Sequence, residues 1–248
     1  MNDQDSQNLD KIAQILAAKE LPKDWQLVGS SAYARVAFNQ NAGIYYKEFL
    51  PRSLLESVKA MVKGSRATRA RKHNDILREA GFPAPNNLAW GKLPGAREYL
   101  FSSAVPGQGV TSWLREDLAE RSGKALQKRR SLLYGLGEFI GKLHASGFTH
   151  GDLRTSNVLA EEAGESFNYF LIDNERNKQQ RPAAGRDVLR NLMQLNMLLP
   201  ADVTNTDRMR VFVKWREQMT ELNTVEAKLL AIESWRWAMK RLNKKGLL

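Results

Sequence analysis

The chain has 248 residues, 42% hydrophobic and 26% charged, which suffices for one large domain or two lobes, and no apolar run reaches the length of a membrane-spanning helix. The absence of cysteine excludes disulfides, thiolate metal sites and a cysteine nucleophile, while His73, His144 and His150 are too few and too scattered for a zinc site, so any metal is expected on oxygen. A formal net charge of +11 calls for an anionic partner, and charge alone does not choose among nucleic acid, nucleotide, anionic membrane and phosphorylated substrate.

The opening MNDQDSQNLD is polar and acidic, without the basic start and apolar stretch of a secretory signal, and a cytoplasmic location is expected from it. From Trp25 to Leu50 the segments WQLVGSSAYARVAF and IYYKEFL, rich in aromatic and β-branched residues, read as strands joined by the turn NQNAG, which predicts a hairpin. A polar, basic helix is predicted from about Arg52 to Ala80, stopped by Gly81 and the prolines of FPAP. Within it Lys59, Lys63, Arg66, Arg69, Arg71 and Lys72 follow one another with no intervening acid, either as a solvated face or as a surface for anions. A second strand pair is predicted over Asn87 to Trp90 and Glu98 to Ser102, with its turn at Lys92 to Ala96.

After VPGQG the pattern turns helical, from near Thr111 and strongly from Lys124, with Leu132, Leu133, Leu136, Phe139, Ile140 and Leu143 on one apolar face. That helix ends at Gly147 and runs into FTHGDLRTSNVLAEE and then FNYFLIDNERN. Asp152 thus stands five residues before Asn157 in a loop, VLA opens a strand, and a second strand, Tyr169 to Ile172, delivers Asp173. Paired as a hairpin, the two strands present an Asp, an Asn and an Asp at one end. His150 is expected to brace this loop rather than carry protons, His144 to pack, and Arg186 and Asp187 to tie the next helix to the loop. Near the C-terminus, Trp215, Trp235 and Trp237 stand among basic residues, with helix packing favoured over membrane or nucleic-acid contact.

HGDLRTSN is similar to the HGDLxxxN loop of kinase-like phosphotransferases, and the LID ending at Asp173 looks like their DFG strand. More narrowly, the order YYKEF, PRS, KGSRATRA, AGFPAP, HGDLRTSNVL and FLIDNER resembles the bacterial lipopolysaccharide-core kinases, which phosphorylate Kdo or heptose, over most of residues 28 to 195. The resemblance implies an α+β, bilobal protein-kinase-like fold. Its small β-rich N-lobe, 1–104, would hold the nucleotide-binding strands and the basic helix, and its mostly helical C-lobe, 105–248, the catalytic and metal-binding loops. It implies ATP-dependent phosphorylation of a sugar hydroxyl, with ATP and Mg2+ as cofactors. Asp152 becomes the catalytic carboxylate, Asn157 and Asp173 the metal ligands, and Arg154 a cation facing the transferred phosphoryl. Lys47 matches the lysine that binds the ATP α- and β-phosphates. Gly29, Ser30 and Ser31 open the phosphate-covering loop, although GSSAYA lacks the repeated glycines of such loops. The helix glutamate that normally pairs with this lysine is missing from RATRARKHNDIL, where Asp75 is the nearest acid. The partners implied are a lipid A-core precursor as acceptor and the anionic cytoplasmic surface of the inner membrane, with no nucleic acid expected. Two alternatives stay open: the same chemistry on an aminoglycoside-like molecule or a protein hydroxyl, and a non-catalytic scaffold, against which the joint presence of Asp152, Asn157 and Asp173 speaks.

Overall fold

A computed structural model describes residues 3–51, 64–183 and 185–248, and the chain divides into two compact units, Met1–Val105 and Pro106–Leu248. The N-terminal unit is built on an antiparallel sheet of β1 (Trp25–Val28), β2 (Ala34–Asn39), β3 (Ile44–Phe49), β4 (Asn87–Leu93) and β5 (Arg97–Ser103), in the order β1-β2-β3-β5-β4. NQNAG makes the expected hairpin turn: Asn39 faces Ile44 across it, and the Asn39 side chain accepts the Ala42 N–H at 2.9 Å.

Side chains alternate along β3, and the two faces of the sheet are covered differently. Tyr46 is buried with Trp25, Ala37, Ala89 and Phe101 against helix α1 (Asp3–Ala17). That helix contributes Leu9, Ile12, Ala13 and Leu16 at three- and four-residue spacing. Phe49 packs with Leu100 and with Ala67 and Ala70 of helix α2 (Arg66–Glu79). Glu48 is fully buried, 2.8 Å from Arg97 and 3.6 Å from Arg35. The same two arginines donate to the carbonyls of Ala17 (3.2 Å) and Leu16 (2.9 Å) at the end of α1, where cations complement the helix dipole.

The predicted basic helix is described from Arg66 onward, with Ser65 capping it by accepting the Thr68 N–H at 3.1 Å; its earlier part, Lys59 and Lys63 included, lies outside the described residues. Three of the four described cations of the basic run carry contacts within the fold. Arg66 is buried and donates to Tyr33 O at 2.9 Å, Arg69 donates to Gly64 O at 2.6 Å, and the Arg71 guanidinium lies 4.1 Å from the centre of the Trp90 ring. Of the described members only Lys72 is exposed. The alkyl and guanidinium parts of arginine make such structural contacts readily, so a count of charges overstates the free ones.

The C-terminal unit contains β6 (Gln108–Gly109), helix α3 (Gly123–Ala145), β7 (Phe148–Thr149), the hairpin of β8 (Val158–Ala163) and β9 (Ser166–Leu171), and β10 (Lys178–Gln179). It closes with helices α4 (Gly185–Leu195), α5 (Asn205–Gln218) and α6 (Thr224–Lys244). The predicted face of α3 is core: Leu132, Leu133, Leu136, Ile140 and Leu143 are buried, while Phe139 is half-buried and stacks on Tyr169. α5 lies so close to α3 that a Cβ on Gly137 would stand 2.3 Å from Val211 O. Trp215 is fully buried in this packing and Trp237 half-buried, whereas Trp235 keeps 41% of its surface exposed. A buried ion pair, Arg129 to Asp207 at 3.0 Å, joins α3 to the start of α5, where Asp207 also closes a capping box with Thr204.

Candidate active site

The loop after α3 is held from three directions. Its His150 is buried; Nδ1 accepts the Asp152 N–H at 3.0 Å, which leaves the proton on Nε2 to be donated to Ile172 O at 3.0 Å. Burial pushes the His150 pKa down, and the neutral ring braces the loop as expected. From α4, Asn191 accepts the His150 N–H (2.8 Å) and donates to His150 O (2.6 Å), while Gln194 accepts the Leu153 N–H at 3.0 Å. From the turn beyond Asp173, Asn177 accepts the Gly151 N–H at 3.2 Å. Gly151 is required by contact: a Cβ there would fall 2.1 Å from Arg176 Cβ.

Asp152, Arg154, Asn157 and Asp173 are brought together in this unit. Asn157 donates through Nδ2 to Asp152 O at 2.8 Å, which commits the nitrogen of its amide and leaves Oδ1 as its donor atom for a cation. Val158 pairs with Leu171, and the Ile172 N–H reaches Asn157 O at 3.1 Å, so the β8–β9 hairpin sets Asn157 and Asp173 at the same end. Asp173 is exposed and holds a left-handed backbone, φ 61°, which costs about 1–2 kcal/mol in a residue with a Cβ. The turn behind it is locked by Asn174, which donates to Leu171 O and accepts from Asn177, both at 2.9 Å. Among the described residues no three His, Asp or Glu side chains gather as a metal cage. One amide oxygen and one carboxylate fit a hard cation that takes its other ligands from phosphate and water. Arg154 donates Nε to Asp152 Oδ1 at 3.1 Å and is exposed.

In the N-terminal unit, Lys47 sits on β3 with its Nζ 5.3 Å from the Phe49 ring centre, on the face covered by α2. Asp75 of α2 accepts from Asn87 Nδ2 at 2.7 Å. Gly29, Ser30 and Ser31 form the exposed β1–β2 loop, where Ser30 Oγ donates to Ala34 O at 2.8 Å and a Cβ on Gly29 would meet open space.

One expectation about α4 is corrected. Asp187 pairs with Lys178 at 2.8 Å, and the loop is tied instead by Asn191 and Gln194, one and two turns further along. Their signal was present in the sequence: both amides stand on the buried face of α4 with Val188, Leu192 and Leu195, where an unsatisfied polar group is costly. His144 does pack in the core, and it also hydrogen-bonds at both nitrogens, to Trp215 Nε1 (2.9 Å) and to Asn191 Oδ1 (3.2 Å).

The fold is shared with solved structures of low sequence identity. WaaP in complex with acyl carrier protein matches with a TM-score of 0.61 at 16% identity, over 87% of this chain and 88% of that one. An aminoglycoside-3'-phosphotransferase of type VIII matches at 0.54 and 14%, over 92% and 98% of the two chains. The aminoglycoside phosphotransferase APH(3'')-Id from Streptomyces rimosus matches at 0.52 and 14%, over 92% and 97%. No curated protein sequence matches the chain significantly. The architecture is that of the protein-kinase-like phosphotransferases. Residues 30–215, well over half of the chain, match the profile of the lipopolysaccharide kinase (Kdo/WaaP) family, and the chain belongs to that family. It is an ATP-dependent phosphotransferase, a kinase of lipopolysaccharide core sugars.

Proposed function

We propose that this kinase transfers the γ-phosphoryl group of ATP to a Kdo or heptose hydroxyl of the lipopolysaccharide inner core, with Asp152 as the base. The observation that carries this reading is the joint geometry of Asp152 and Asn157, in which the amide nitrogen is anchored on Asp152 O and the amide oxygen is left for a cation. Asn157 Oδ1 and the Asp173 carboxylate would hold Mg2+, which when bound neutralises charge on the β- and γ-phosphates. Lys47 would bind the α- and β-phosphates, the loop at Gly29, Ser30 and Ser31 would cover them, and Arg154 would supply a cation toward the transferred group. The N-terminal unit thus serves the nucleotide and the C-terminal unit the chemistry.

The acceptor is a membrane glycolipid, and the enzyme works peripherally at the anionic cytoplasmic face of the inner membrane. The net charge of +11 supports this, and no helix among the described residues is long and apolar enough to cross a membrane. Mass spectrometry of core oligosaccharide from cells with and without the protein tests the acceptor. Loss of one phosphate from Kdo or heptose is expected, and an unchanged core phosphate pattern overturns the assignment.

A further inference from the structure

We propose that Gln194 is a positioning residue for phosphoryl transfer: it holds the Asp152 carboxylate by Oδ1, so that Oδ2 is the atom that receives the acceptor proton. The inference rests on the reading of Asp152 as the base and adds to it the atom that acts and the side chain that aims it. Oδ1 receives two donors, Gln194 Nε2 at 3.0 Å and Arg154 Nε at 3.1 Å. The two differ in kind. Arg154 is an exposed cation two residues along the same loop. Gln194 is buried, and its Oε1 accepts from Leu153 N–H (3.0 Å) and from Asn191 Nδ2 (3.3 Å).

Two donors facing Oε1 leave the amide one orientation, with its NH2 group turned toward Asp152. Asn191 is itself fixed by donating to His150 O and accepting the His150 N–H. The orientation of the base is therefore set from α4 through two buried side chains. Oδ2 carries neither of these bonds. In the transfer step the acceptor oxygen forms a bond to the γ-phosphorus, the bond from that phosphorus to the bridging oxygen breaks, and ADP leaves with the electron pair. The acceptor proton passes to Asp152 Oδ2.

The test is a double-mutant cycle on the full chain, with radiolabelled ATP and hydrofluoric acid-dephosphorylated lipopolysaccharide as acceptor. Gln194→Met should lower kcat by about 100-fold, the scale set by a misplaced reacting group, with the KM for ATP unchanged. In the Asp152→Asn background the same substitution should cost little more, because a residue that acts through Asp152 has nothing left to aim. Should Gln194→Met fail to fold by thermal melting, Gln194→Glu enters the same cycle, since it keeps an acceptor for the Leu153 N–H. Unchanged kcat, or an equal loss with and without Asp152, overturns the proposal while leaving the base intact. Full activity in Asp152→Asn alone overturns the base and this proposal together.

Discussion

The indole N–H of Trp215 donates to Nδ1 of His144 at 2.9 Å, and that bond decides which nitrogen of the buried imidazole carries its proton. The proton sits on Nε2 and is given to Asn191 Oδ1, so a core helix far along the chain from the loop sets the hydrogen-bonding state of the amide that holds it.

Burial pushes the His144 pKa from 6.5 down to about 4, with the Asn191 bond opposing, and the His150 pKa is lowered for the same reason. The unfolded chain therefore binds protons that the folded one refuses. Stability present above pH 6.5 is lost as the pH falls toward 4, by about 3 kcal/mol from His144 alone. Urea unfolding should show this fall, and His144→Gln should flatten it while lowering stability near neutrality. Equal stability at the two ends of that window would contradict the assignment.

Gly151→Ala drives a Cβ into Arg176 and separates the catalytic loop from the turn after Asp173. A loss of about 1–3 kcal/mol is expected from overpacking, and a fall in turnover of about 100-fold from displacement of Asp152. Denaturation and steady-state rates measured on one preparation check both, and a variant with parental turnover rejects the contact as a constraint on catalysis.

Asp173→Gly should have opposite effects on stability and function. Relief of the left-handed backbone should stabilise the protein by about 1 kcal/mol, while magnesium-dependent nucleotide binding is lost. Calorimetric titration of ATP with and without Mg2+ is decisive: retention of the parent's metal dependence removes Asp173 from the metal site.

Glu48→Gln leaves Arg35 and Arg97 without their buried counter-charge and loosens their hold on the end of α1. About 3 kcal/mol of stability should go, with faster proteolysis within residues 3–17. Protease resistance equal to the parent's would show that the ion pairs do not anchor α1.

The membrane reading is tested on cations that the fold does not use. Lys72→Glu with Arg78→Glu, both exposed on α2, should weaken cosedimentation with anionic vesicles, each charge contributing about 1 kcal/mol. Arg66→Glu should instead destabilise the N-terminal unit, because that guanidinium is buried on Tyr33 O. Vesicle binding unchanged in the double variant discards α2 as the contact.

The sheet hairpin, α3 and the placing of Asp152, Asn157 and Asp173 were legible because each is written locally, in a turn, a three-four periodicity or a five-residue spacing. α1 was overlooked because the acidic opening residues were read by composition, while Leu9, Ile12, Ala13 and Leu16 carry the helical period just beyond. Glu48 gave no sign of burial, since its arginines lie 13 and 49 residues away along the chain. Gln194 is 42 residues from Asp152 and bonded to it by an amide with no charge to advertise the link. Local pattern locates Asp152, Asn157 and Asp173, and only tertiary structure shows the side chains bonded to them.

The path from Trp215 to Asp152 has a direction. Trp215 gives an N–H to His144, His144 to Asn191, Asn191 to Gln194, and Gln194 to Asp152 Oδ1. Every dipole along it turns its positive end toward the carboxylate, and each bond polarises the next. The anion at the catalytic loop is thus solvated from inside the protein by a file of oriented side chains, much as a helix N-terminus solvates a phosphate, but made of four residues drawn from three separate helices.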